Sequence, residues 1–147
     1  MQEKENILKI LKRAKIALEE EDSVVMHDLS DQTVHSASIY QDPDNIIVAV
    51  LMYALSKIIE RKKYREYKDW DRFIKNYKKC IEKSIIALEK DNEKVFRKEA
   101  THMRRQIKKL SENFRKQVQE VFRKAEVNKA SRIYEHGISM QRTADLL

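Results

Sequence analysis

The sequence predicts an all-α protein: a helical bundle of four main helices around a buried central helix, residues 43–64, with a long C-terminal helix and a short terminal one. Three observations carry this. The chain has one glycine and one proline in 147 residues, which leaves little material for hairpins. Apolar residues recur at spacings of three and four along most of its length. Asp42 to Glu60 contains ten consecutive residues of apolar character, Ile46 to Leu55, with Ile58 and Ile59 continuing the surface. A helix apolar on every side is buried in a core or crosses a membrane. Ten residues is half of the roughly 20 a bilayer requires, so a core is expected and no membrane.

In order, residues 2–20 form an amphipathic helix with Ile7, Leu8, Leu11, Ala14 and Leu18 on one face, closed by the acidic run Glu19 to Asp22. Ser23 is the expected N-cap of a second helix, from about Val24 to Tyr40. Asp42 and Pro43 suit an N-cap and first position for the central helix, with Asp44 favourably placed against the helix dipole. That helix is expected to end near Tyr64 to Glu66. Asp69 or Asp71 opens the next, to about Lys90, with Trp70, Phe73, Ile74, Tyr77, Ile81, Ile85 and Leu88 as its core stripe. Asp91 is the expected cap of the last long helix.

That helix runs without glycine or proline to His136, about 70 Å if unbroken. A 147-residue domain is narrower, so the helix either breaks, with a site near Asn128 suggested, or projects. Phe96, Ala100, Met103, Ile107, Leu110, Phe114, Gln117 and Val121 form a heptad seam. The seam fits packing along the bundle or pairing with the same helix in a homodimer.

The chain is one ordinary domain in size. Cys80 is the only cysteine, which excludes an internal disulfide and any multi-cysteine metal site. No glycine-rich phosphate loop or cofactor motif is present, and no cofactor is expected. The N-terminus is charged and periodic, unlike a signal peptide, so a cytoplasmic location is expected. The 37% charged composition fits a thermophile. Net charge is +7, unevenly distributed: residues 1–60 carry 6 basic and 11 acidic residues, and residues 61–147 carry 25 and 13. An acidic first part and a basic second part point to a polyanion-facing surface on one side.

Three groupings bear on chemistry. Arg97, Lys98, Arg104, Arg105, Lys108, Lys109, Arg115, Lys116, Arg123 and Lys124 stand against Glu99, Glu112 and Glu120 alone, a net +7 stripe in 28 residues opposite the seam. It reads equally as a phosphate-contacting surface and as a solvated face. The residues expected to contact nucleic acid are Arg97, Arg104, Arg105, Lys108, Lys109, Arg115 and Lys116. In the junction RKKYREYKDW, basic residues alternate with Tyr64, Tyr67 and Trp70. That pattern stacks single-stranded bases in some proteins, but aromatics closing the end of a core are the commoner meaning. His27, Asp31 and His35 lie at i, i+4 and i+8, beside Asp28 and Gln32, and are weak metal candidates. The first and last are about 12 Å apart along the axis, so a second helix would have to complete the set; polar contacts between helices are the plainer reading. His35 has no visible nucleophile partner for acid–base work.

Two resemblances concern the C-terminus. The phrase YEHGISMQRTADLL, residues 134–147, resembles the opening helix of helix-turn-helix regulators and antitoxin-like proteins, in which G-I-S-hydrophobic-x-x-x-A-x-x-L leads into the turn; Gly137, Ile138, Ser139, Thr143, Ala144 and Leu147 carry it. It implies DNA binding and a division into a bundle domain, 1–127, and an extension, 128–147. The phrase stops before any recognition helix, so it assigns no base-reading residue. Arg132 and His136 are similar to the Arg–His pair of HEPN-type helical RNases, with three intervening residues where that family has four to six. The expectation is a non-catalytic nucleic-acid-binding or regulatory protein. The alternatives are an RNase or metal-dependent enzyme, and a protein-interaction or oligomerisation module.

Overall fold

A computed structural model describes residues 4–40 and 43–135, with side chains over 4–35 and 43–128. The described residues form six α-helices: α1 (Lys4–Glu19), α2 (Ser23–Tyr40), α3 (Pro43–Glu60), α4 (Trp70–Glu89), α5 (Glu93–Ile107) and α6 (Glu112–Glu135), with a 3-10 turn at Lys62–Glu66. No helix among them is long and apolar enough to cross a membrane. The protein is an all-α bundle, as the residue pattern predicts.

The core centres on α3, where Ile46, Val48, Ala49, Met52, Ala54, Leu55 and Ile58 are all but inaccessible to solvent. α2 lies close along it because the facing residues are small. Ser30 and Thr33 are buried, and the Ser30 hydroxyl donates to the Ala49 carbonyl at 2.9 Å. α1 runs antiparallel to α4, marked by the pairs Lys4–Asp91, Lys12–Glu89 and Lys15–Glu82. α4 and α5 form an antiparallel hairpin, across which the buried Tyr77 hydroxyl donates to the Met103 carbonyl at 2.6 Å.

The α1–α2 and α4–α5 connections are built alike. Each follows the sequence Ile-Ala-Leu-Glu, at 16–19 and 86–89. Glu21 and Asp91 take left-handed φ angles of 54° and 57°. The next amide reaches back five residues, Asp22 to Ala17 and Asn92 to Ala87, and the one before reaches Leu18 and Leu88. This is a Schellman closure without its usual glycine. The residue after it then caps the following helix: Asp22 Oδ1 accepts from the Val25 amide and Asn92 Oδ1 from Val95, both at 3.1 Å. The caps are therefore Asp22 and Asn92, one residue from the expected Ser23 and Asp91. The expected Asp42 cap lies outside the described residues.

Two helix boundaries differ from expectation. The central helix ends at Glu60, because Arg61 is extended (φ −89°, ψ 93°) and a 3-10 turn follows. That turn carries Tyr64 completely into the core, 5.7 Å from the Phe114 ring. Tyr67 stacks on Phe114 at 4.8 Å, and Trp70 and Phe73 close the cluster. The aromatics of RKKYREYKDW thus seal the end of the core.

The long C-terminal helix breaks at 108–111, well before Asn128, and α6 continues unbroken through that position to Glu135. The cause is Asp69. Its carboxylate accepts from the Ser111 amide at 2.7 Å and the Ser111 hydroxyl at 3.1 Å, taking the amide that would otherwise continue α5. The amides of Lys108, Lys109 and Leu110 bond three residues back, tightening the last turn. Beyond the break, the buried face of α6 is Phe114, Val118, Val121, Phe122 and Ala125, so after Phe114 the seam shifts register, with Val118 in place of Gln117. Gln117 leaves the seam and donates to the Tyr67 hydroxyl at 2.6 Å. The apolar seam residues are buried in the chain's own core.

Candidate nucleic-acid interface

The break rearranges the basic stripe. On one straight helix Arg104 and Arg123 would stand about 28 Å apart. Here α6 turns back, and both line one groove between α5 and α6, of 380 Å³. Thr101, Arg104, Arg105 and Lys108 form the α5 wall; Gln119, Arg123 and Glu126 form the α6 wall; Ile107 and Phe122 lie beneath. The groove exists because α5 and α6 diverge from their junction and touch little elsewhere. A smaller cavity of 20 Å³, lined by Ile46, Ile47, Val50 and Leu51, adjoins it behind Arg104, Phe122 and Glu126.

The expected contact residues separate into groups. Arg97 is held by Asp44, its Nε and Nη2 reaching Oδ1 and Oδ2 at 3.0 and 2.8 Å, and also meets Glu93 at 3.3 Å. Asp44 is buried, so this bidentate pair ties the start of α3 to α5 and takes Arg97 out of the interface. Lys116 pairs with Glu112 on the exposed side of α6. Lys109 and Arg115 lie off the groove. Arg104, Arg105 and Lys108 face into it, with Arg104 paired across it to Glu126. Arg105 and Lys108 have no ion pair among the described residues. Arg123 joins them from α6. Its hydrogen bond to Glu120 holds that carboxyl below its usual range. Sequence reasoning placed Arg123 in the stripe but did not select it, because its nearness to Arg105 depends on the break. Ser111 followed by Glu112 was the available signal for a new helix start.

On the other half, His27, Asp28 and Asp31 bring one ligand atom each within 4.8 Å of one another. His27 Nδ1 lies 3.6 Å from Asp31 Oδ2, and its ring meets Tyr53 at 5.5 Å. His35 is exposed and outside that group. All three donors sit on α2, one short of the four a closed zinc site uses. Cys80 is buried, and that burial, reinforced by Glu99, pushes its thiol up to about 12, which leaves it a poor nucleophile and ligand. The Arg132–His136 pair and residues 136–147, which carry most of the helix-turn-helix resemblance, lie outside the described side chains.

Comparison with family models, curated proteins and solved structures finds no match to this chain.

Proposed function

We propose that this protein binds nucleic acid through the α5–α6 groove, as a binding or regulatory protein without catalysis. The observation that carries the reading is convergence: Arg104, Arg105, Lys108 and Arg123, from two helices, line one concave surface, and two of them have no ion pair among the described residues. Four cations against Glu126 and Glu120 leave the groove net positive, and a phosphate backbone relieves the raised potential while releasing counterions. Over residues 93–128 there are eleven basic and five acidic residues, so the surroundings reinforce the groove.

The test is fluorescence anisotropy with labelled oligonucleotides at two salt concentrations. Wild-type protein is expected to bind at about micromolar affinity, weakening steeply with salt. The Arg105→Glu/Lys108→Glu variant is expected to keep its helical circular dichroism, since both positions are exposed, and to lose binding. Binding retained by that variant would place the contact elsewhere.

A further inference from the structure

We infer that the groove is shaped for a single strand rather than a duplex; this rests on the nucleic-acid reading above and narrows it. The first reason is shape. Side chains that read a duplex project from a convex element, typically a helix lying in a major groove about 12 Å wide. Here the basic groups line a concavity between two helices joined by four residues, 108–111, and an unpaired strand can descend where a duplex cannot.

The second reason is chemistry. Three of the four cations, Arg104, Arg105 and Arg123, are arginines, whose planar guanidinium groups offer stacking faces for unpaired bases as well as charge. Gln119 on the α6 wall offers a neutral donor and acceptor suited to base edges, and the Thr101 hydroxyl opposite, which donates to the Arg97 carbonyl at 3.1 Å, keeps its acceptor lone pairs. In a duplex those base faces are stacked internally and out of reach. The strand must also compete with Glu126 for Arg104 and with Glu120 for Arg123, so Arg105 and Lys108 make the first phosphate contacts.

The experiment titrates the full chain with a labelled 12-nucleotide single strand and with the corresponding duplex at matched salt, each length about that of one compact single-strand site. The single strand is expected to bind at least about tenfold tighter. Replacing Arg105 and Lys108 with alanine is expected to reduce the salt slope for the single strand by roughly 1.4, two contacts at about 0.7 each. Replacing the exposed Lys75 and Lys79 of α4, which changes net charge equally, is expected to leave the slope unchanged. Arg105→Lys keeps the charge but removes a stacking plane, so it should narrow the preference for single strand. Equal or tighter duplex binding that still depends on Arg105 and Lys108 would overturn this inference and leave the nucleic-acid reading standing. Equal loss in both double-alanine variants would mean unspecific attraction and overturn it too. No binding of either probe would remove both.

Discussion

The two halves of the molecule use the same start and reach different ends. α1–α2 and α4–α5 are joined by the same glycine-free turn after Ile-Ala-Leu-Glu, each followed by a side-chain cap. The third helix then differs. α3 lies flat against α2 because Ser30, Thr33 and Ala49 let the backbones approach. α6 diverges from α5, with Ile107, Phe114 and Phe122 between them and the rest of the core. The first half holds a smaller pocket, of 200 Å³, where His27 and Asp28 of α2 meet Ser56, Lys57 and Glu60 of α3. The second holds the larger groove, of 380 Å³, and its cations meet across two helices. An identical turn therefore does not determine how the third helix packs; the small residues between α2 and α3 and the Asp69–Ser111 contact before α6 do.

The largest effect is expected at the aromatic cluster that props the second half open. Phe114→Ala removes a fully buried ring touching Tyr64, Tyr67, Trp70 and Phe73, and should cost about 3–5 kcal/mol in denaturant unfolding. A loss under about 1 kcal/mol would mean that the cluster does not hold α6 in place.

The tight α2–α3 contact and the groove wall should respond unequally to added volume. Ala49→Leu, at a fully buried site against α2, is expected to cost about 1–3 kcal/mol. Thr101→Leu, exposed on the groove wall, should change stability by less than about 0.5 kcal/mol. Equal costs would contradict the contrast.

The Asp69–Ser111 contact folds the second half back on itself. Burial raises the Asp69 carboxyl, but the two Ser111 hydrogen bonds, its own amide and nearby Arg72 outweigh this, and the net shift is downward. A depressed carboxylate stabilises the folded state above its unfolded value, about 3.9, and that contribution is lost as pH falls through the lower folded value. Asp69→Ala should cost about 1–3 kcal/mol at neutral pH. The gap to wild type should be constant down to about pH 5 and narrow below about pH 4. A gap that widened on acidification would reverse the assignment.

The smallest effect tests whether the two turns are alike. Glu21→Gly and Asp91→Gly should each stabilise by about 0.5–1 kcal/mol, because glycine adopts positive φ without strain. The gain should be greater at Glu21, since aspartate tolerates the left-handed region better than glutamate. Destabilisation at either site would show that the ion pair it loses, Arg65–Glu21 or Lys4–Asp91, outweighs the relief at positive φ.

Residue spacing alone determined the helical class, the buried α3, the stripe of α4 and the basic character of the last third. These follow from local periodicity and charge, which a chain carries wherever it folds. The end of α1, the bounds of α4 and the position of α3 were legible for the same reason. The caps were misplaced by one residue because Glu21 and Asp91 take left-handed angles that glycine usually marks. What only the tertiary structure decided is the groove. Arg104 and Arg123 are nineteen positions apart in the chain. They line one surface because Asp69, from the start of α4, takes the amide of Ser111 and breaks a helix that nothing within 91–136 obliges to break. Arg97 left the candidate interface for the same kind of reason, since its partner, Asp44, lies on α3. Contacts between residues far apart in sequence have no period to read, and both the shape of the site and its membership rest on them.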